Sequence, residues 1–322
     1  MYHVTCIKCV SQIFPFNSLT NSDYYSIVQR GIALPDAVID NDQLTFLRCK
    51  EYLTNLNDYI STQNESDEFS SPPVDCKYYS MDDFVESKFN PSKTTSLFHI
   101  NIHSIEKHID ELRSYLLLGD YQFDVLAISE SKLQTNVQPK VDININGYHS
   151  PLNSPTNATK GCVLLYIKEN LIFKPRPDLE KVMTVGNYLE SNCVEIINAK
   201  GRNDVIGVIY RHPTGNPVDF IESNLKTLLD DKLSKDIINK NVYLAGDFNF
   251  DLTNMSHQET SDFFDTMTTN QMLPPISLPT KLNNKHNTLL DNIFTNQFNP
   301  DMVSDNFTAL ISDHLASFLI IV

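Results

Sequence analysis

The sequence predicts an α/β domain with largely antiparallel sheets over residues 96–322, behind an N-terminal third of different character. Three observations carry this. A strand, helix, strand succession opens the region. Three further β-prone runs then follow with no helical pattern of comparable strength between them, which favours antiparallel pairing over a doubly wound nucleotide-binding sheet. The last third alternates amphipathic helices with short apolar runs that start or end in Asp, Asn or Glu.

Taken in order, Ser96-Leu-Phe-His-Ile-Asn101 is the first strand, and Ser104 is placed as N-cap of a helix with Ile105, Ile109, Leu112 and Leu116 on one face. Phe123 to Glu130 is a buried strand that finishes in a carboxylate. Gly161–Ile167, Cys193–Ile197 and Val205–Arg211 are the three consecutive strands, the last running into Tyr210-Arg-His-Pro213. Asn216-Pro217 supplies an N-cap and a first-turn proline for a helix with Phe220, Ile221, Leu225, Leu228 and Leu229 inward. Ser256-x-x-Glu259 predicts a capping box ahead of Phe263, Phe264 and Met267. Leu289–Phe294 and Ser317–Val322 close the domain as strands.

The polar residues sit at the strand ends. In Asn241-Val-Tyr-Leu-Ala-Gly-Asp-Phe-Asn-Phe-Asp251, Gly246 halts an apolar run and leaves Asp247 and Asn249 two apart. On extended backbone such a pair leaves one face and converges on one target; read alone, Gly-Asp-x-Asn is equally a turn. Asp291 lies inside an apolar run, where an unpaired carboxylate is costly, and His314 is its natural partner. An Asp–His pair fixes the imidazole tautomer and raises its basicity. Glu130 stands where α/β proteins place functional groups.

Ahead of the domain, residues 1–60 hold Cys6-Ile-Lys-Cys9 and a helical recurrence over Leu44–Ile60. One CxxC supplies half of a tetrahedral zinc site; with the aromatic and proline stretch after it, it resembles the closing part of a PHD-type zinc finger. Residues 61–95 read as a polar linker and lead-in, with Cys76–Phe89 bracing the domain. The six cysteines are scattered, which argues against a disulfide framework and for a reducing compartment. No apolar run is long enough to span a membrane, and no signal-like segment opens the chain, so an intracellular protein with no membrane partner is expected.

The net charge is -15, and residues 96–322 carry 18 Lys/Arg against 27 Asp/Glu. That argues against a broad electropositive groove of the kind that grips nucleic acid through its phosphates. It leaves room for a nuclease whose acidic centre meets phosphate through a divalent cation.

Phe-His-Ile-Asn101, Ile-Ser-Glu130-Ser-Lys, Ile-Tyr210-Arg-His-Pro, Gly-Asp247-Phe-Asn249, Thr-Leu-Leu-Asp291-Asn-Ile-Phe-Thr-Asn and Ser312-Asp313-His314 occur in that order over two thirds of the chain. Together they resemble the endonuclease/exonuclease/phosphatase superfamily, in particular the apurinic/apyrimidinic endonuclease-like domain of LINE-type non-LTR retrotransposons. The resemblance implies a four-layer α/β sandwich of two facing mixed sheets flanked by helices. It implies phosphodiester cleavage with Mg²⁺, Mn²⁺ being able to substitute, and a 3′-hydroxyl product that primes reverse transcription. Carried over by position, Glu130 binds the metal with Asn101 and Asp313 beside it. His314, oriented by Asp291, activates water or holds the phosphate, and Asp247 handles the nucleophile or the leaving oxygen. Asn249 and Tyr210 donate to the phosphoryl oxygens, and Thr280 contacts phosphate. The implied partners are a DNA substrate and a reverse transcriptase domain of a parent polyprotein, with action in the nucleus.

The repair enzymes of the superfamily have an acid two residues after the asparagine; here His103 stands there, as in LINE-type relatives, which counts against repair. A lipid or inositol phosphate phosphatase is the second reading, weakened because Leu290-Asp291-Asn-Ile lacks the Trp-Cys-Asp-Arg of inositol-polyphosphate phosphatases. A third is an inactive retroelement remnant.

Overall fold

The computed structural model of the protein describes residues 76–89, 95–133, 137–154, 161–186, 188–282, 287–297, 302–309 and 311–321. The CxxC pair, the Leu44–Ile60 recurrence and the polar linker lie outside these residues. Val74–Val322 form one compact unit.

Twelve strands are found among the described residues: β1 (Tyr78–Tyr79), β2 (Thr95–Asn101), β3 (Val125–Ser129), β4 (Leu152–Asn153), β5 (Leu164–Ile167), β6 (Phe173–Pro175), β7 (Leu189–Ile196), β8 (Asp204–Arg211), β9 (Asn241–Asp247), β10 (Asp291–Thr295), β11 (Val303–Phe307) and β12 (Ala316–Ile321). They form a seven-stranded sheet ordered β1-β11-β12-β2-β3-β5-β4 and a five-stranded sheet ordered β10-β9-β8-β7-β6. Pairing is mostly antiparallel; β1–β11, β2–β3 and β8–β9 are parallel. This is the two-sheet sandwich implied above.

Strand alternation builds the layers. Leu97, Val125, Ala127 and Leu165 of one sheet meet Val194, Val208, Ala245 and Ile293 of the other in a core between the sheets. The alternate residues Phe98, Ile100, Leu126 and Ile128 point outward against Ile105, Ile109 and Leu112. The latter three belong to helix α2 (Ile105–Leu118), which follows the short α1 (Met81–Glu86). Burying each large side chain contributes about 1.5–3 kcal/mol. A brief α3 (Pro177–Met183) fills the stretch between β6 and β7, where the sequence suggests no helix. Its seven residues begin at a first-turn proline and are too few to show a 3.6-residue recurrence.

On the outside of the smaller sheet lies helix α4, residues 217–239, started by the Asn216 side chain accepting from Val218 and Asp219 N–H. It carries π-type turns at Phe220–Leu225 and Thr227–Leu233. Beside it runs α5 (Gln258–Thr269), where Phe263 and Phe250 stack with ring centroids 4.5 Å apart. The capping box expected at Ser256 and Glu259 does not form. Ser256 gives its hydroxyl to Asn254 Oδ1 at 2.6 Å, and the helix starts after His257 with no side-chain cap. Among the described residues no helix is long and apolar enough to cross a membrane.

The lead-in segment adds β1 to the edge of the larger sheet, and Phe84 of α1 packs on Phe307, Phe318 and Tyr121. The Tyr78 hydroxyl donates to Pro279 O at 3.0 Å, bracing the loop that ends in Thr280 and Lys281.

Candidate active site

The same alternation places the polar side chains. On β2 the residues facing the opposite sheet are Leu97, His99 and Asn101; on β9 they are Tyr243, Ala245 and Asp247; on β8, Ile206, Val208 and Tyr210. Ile293 and Asp291 share the inward face of β10, which runs antiparallel to β9, so its first residue arrives where β9 ends. Each strand thus swaps its core side chain for a polar one at one rim of the sandwich.

Two tight approaches hold this rim. A Cβ on Gly246 would lie 1.9 Å from Ile209 O, so the β8–β9 backbones close up just before Asp247. Arg211 is buried and gives hydrogen bonds to Phe248 O and Asn249 O, both at 2.7 Å, and to Gly215 O at 3.1 Å. Its guanidinium lies 4.1 Å from the Phe250 ring centroid. It is a clamp on the turn after Asp247. His103, Glu130, Lys132, Cys162 and Asn249 all have φ between 52° and 63°, the sparsely populated left-handed region, so backbone strain collects around the site.

Asp247, Asp291 and His314 are buried, with one ligand atom from each within 4.8 Å of the others. His314 Nδ1 lies 2.7 Å from Asp291 Oδ2, which also accepts from Thr280 Oγ1 at 2.6 Å. Asp247 Oδ2 accepts from Asn101 Nδ2 at 2.9 Å, and its Oδ1 from Asn249 N at 3.0 Å. Burial first, then the Asp291 charge, push the Asp247 carboxyl up to about 7, against the pull of His314 and Asn101. Burial also pushes Asp291 up, but the charge and hydrogen bond of His314, with His99 and Thr280, hold it below the ordinary value. For His314 burial acts downward, and Asp291 outweighs it to raise the imidazole to about 9.

At the rim, Glu130 Oε1 lies 3.4 Å from Lys132 Nζ and 3.3 Å from His103 Nδ1. Asp313 pairs with Lys281 at 3.0 Å, and the same ammonium is 3.1 Å from His314 Nε2. Tyr210 is buried, opposite Glu190 and beside Asp247 in the strand registers, and burial first, then the charges of Glu130, Asp247, Glu190 and Asp291, raise its phenol.

The structure therefore gathers Asn101, Glu130, Tyr210, Asp247, Asp291, Asp313 and His314 into one neighbourhood. Two other candidates have partners within the protein. Thr280 is fully buried behind Asp291, and Asn249 gives its Nδ2 to Arg211 O at 2.6 Å. Residues the sequence reading did not single out are His99, Lys281 and the buried pair Glu190 and His212, whose atoms approach to 3.6 Å beneath Tyr210. Glu190 faces Tyr210 across the β7–β8 ladder, and its neighbours Ser191 and Asn192 are polar, so no apolar run marked it in the sequence.

The donors are hard oxygens from Glu130, Asp313, Asp247 and Asn101, and the rim carboxylates are neutralised here by lysine ammonium groups. Such donors suit a hard divalent cation.

Comparison with solved structures gives the same fold. An apurinic/apyrimidinic endonuclease from Leishmania major superposes with a TM-score of 0.56 at 14% identity, covering 84% of this chain and 98% of that one. A 3′ phosphatase from Neisseria, solved with a product DNA hairpin, gives 0.50 at 13% identity, covering 70% and 98%. The comparison with curated protein sequences returned no match. The family model described as Endonuclease/Exonuclease/phosphatase family matches residues 99–314, from His99 on β2 to the His314 that pairs with Asp291, and the chain belongs to that family of hydrolases.

Proposed function

We propose that the protein is a Mg²⁺-dependent DNA endonuclease of the LINE retrotransposon type, which nicks target DNA and leaves a 3′-hydroxyl. The observation that carries the reading is the buried Asp247–Asp291–His314 cluster, with Asp313 joined to His314 through Lys281 and Glu130 following the β3 end that pairs with Asn101. The order of the strand-end motifs and His103 in place of an acid support the retroelement type over a repair enzyme. A reverse transcriptase in the same parent polyprotein would extend the nicked end, and the reaction would take place on chromosomal DNA in the nucleus.

Glu130 and Asn101, with Asp313 once Lys281 has moved off it, would hold the cation. When bound it supplies Lewis-acid polarisation of the scissile phosphate and neutralises the acidic rim. Asp291 keeps the proton of His314 on Nδ1 or shared with it, so that Nε2 faces the substrate. With its pKa raised to about 9, His314 donates from Nε2 to a phosphoryl oxygen as negative charge grows there. Asp247, raised to about 7, takes a proton from the attacking water near neutral pH. The water oxygen bonds to phosphorus as the P–O3′ bond breaks, and the departing 3′ oxygen takes up a proton from solvent water. Tyr210 lends its hydroxyl to the phosphate, and Lys281 adds a positive charge beside it.

The test incubates the full chain with supercoiled plasmid and Mg²⁺, alongside Asp247→Ala and His314→Ala. Open circles are expected from the wild type alone, with losses of about 10²–10⁴-fold for either variant. Release of phosphate from inositol phosphates without nicking would transfer the reading to the phosphatase alternative. A wild type that turns over no phosphodiester would identify a remnant.

A further inference from the structure

Asp291 has two carboxylate oxygens in different circumstances. Oδ2 accepts from Thr280 and His314, whereas Oδ1 is buried with no hydrogen-bond partner. Facing it at 4.0 Å is His99 Nδ1, also buried and also without a partner. The other ring nitrogen, Nε2, lies 3.1 Å from Ser129 Oγ. His99 itself is wholly inaccessible and sits on the inward face of β2, two residues below Asn101, so its ring spans the gap from β3 to β10 of the opposite sheet.

We propose that His99 is a positioning residue for the Asp291–His314 pair, a neutral imidazole that carries its proton on Nδ1, aims it at Asp291 Oδ1 and accepts the Ser129 hydroxyl proton at Nε2. Of the two neutral tautomers, only this one satisfies both orphans. An ionised carboxylate only accepts, so the proton must be on the nitrogen that faces it. The opposite tautomer points a lone pair at a buried anion and leaves both atoms unsatisfied, at about 1–3 kcal/mol for each group. A side-chain adjustment of about 1 Å brings the two atoms to hydrogen-bond distance. The ring is wholly inaccessible, and burial disfavours its doubly protonated form. With Oδ1 tied to His99 and Oδ2 to Thr280, the carboxylate plane cannot turn, and His314 meets an acceptor of fixed direction. Orientation of a catalytic imidazole by a carboxylate that is itself oriented is a supporting-shell effect.

The catalytic part of this inference rests on the proposed hydrolase reading, and the experiment separates the two. The full chain with ¹⁵N-labelled histidine, in EDTA at neutral pH, should show His99 with Nδ1 protonated and Nε2 bare. An Nε2-protonated or doubly protonated ring overturns the proposal whatever the enzyme does. For the catalytic part, His99→Asn keeps an N–H at the place of Nδ1, and His99→Gln keeps only the group near Ser129. With matching melting temperatures, His99→Asn should nick plasmid within a few-fold of wild type, and His99→Gln should lose about 10–100-fold in kcat at unchanged KM. Equal losses in the two variants would overturn it. If either variant fails to fold, the tautomer decides alone. If the wild type does not nick at all, the functional reading fails while the tautomer still tests the arrangement.

Discussion

Asp247 and Asp291 stand directly opposite one another in the antiparallel β9–β10 ladder, and both are buried. Like charges at such a pair are destabilising, and Asp247 bears the consequence with a carboxyl raised to about 7, through burial and then through Asp291. A folded pKa above the unfolded one contributes stability in full below about 3.9, lost as pH rises through the folded value. Asp247→Asn removes this titration. In EDTA its stability relative to wild type should therefore climb between pH 4 and pH 7, and nicking should fall by about 10²–10⁴-fold. Chemical denaturation at a series of pH values checks this; a variant whose relative stability is flat or falls with pH would refute the pairing.

Gly246 illustrates a backbone demand. Its missing Cβ is what lets Ile209 O come within the distance that brings Tyr210 and Asp247 side by side across the parallel β8–β9 pair. A carbonyl in an adjacent strand cannot retreat without breaking the ladder, so Gly246→Ala should cost about 3 kcal/mol or more. A melting temperature within 2 °C of wild type, roughly 1 kcal/mol at this size, would contradict it.

Arg211 should resist its usual replacement. Lysine cannot reproduce the planar fork that reaches Phe248 O, Asn249 O and Gly215 O together, nor lie flat on Phe250. Arg211→Lys should lose about 2–4 kcal/mol of stability, since two or more charge-assisted bonds go. The turn after Asp247 should loosen with it, read as faster amide exchange at Phe248 and Asn249.

These cases show which parts of the site the chain spells out. Alternation along β2, β8, β9 and β10 marks the inward face by residue type alone, so the rim positions of Asn101, Tyr210, Asp247 and Asp291 follow from counting by twos, and the Asp291–His314 contact from the cost of a lone buried acid. Arg211 was readable only as one of a run of donors, because its partners are main-chain carbonyls of a turn 37 residues on, and carbonyls have no sequence signature. His99 was invisible for a related reason. A histidine in an apolar strand looks like packing until register sets an orphan oxygen against it. Glu130 was found by its place after a strand, while its left-handed backbone and its Lys132 and His103 neighbours depended on loop geometry.

Lys281 supplies the last prediction. Its ammonium sits between Asp313 Oδ2 and His314 Nε2, at 3.0 and 3.1 Å. That contact needs a bare Nε2, so the proton that the raised pKa favours there below about 9 must displace the ammonium, and Lys281 accordingly opposes the rise of the His314 pKa. Against the upward push of burial, Lys281 also helps hold Asp313 below its ordinary value. Lys281→Met keeps the apolar stem and removes the charge. Two effects follow with opposite bearings. His314 stabilises the fold through a raised pKa, so its contribution is complete below about 6.5 and fades as pH rises towards 9; in EDTA the variant should carry that contribution to higher pH. Asp313, relieved of its partner, becomes available to a cation, and Mn²⁺ titrated into DNA-free protein should bind a few-fold more tightly, a modest gain because this carboxylate is largely solvent-exposed. Plasmid KM should rise in the same variant, since a positive charge beside the phosphate is gone. Weaker Mn²⁺ binding on removal of Lys281 would mean that Asp313 takes no part in holding the cation.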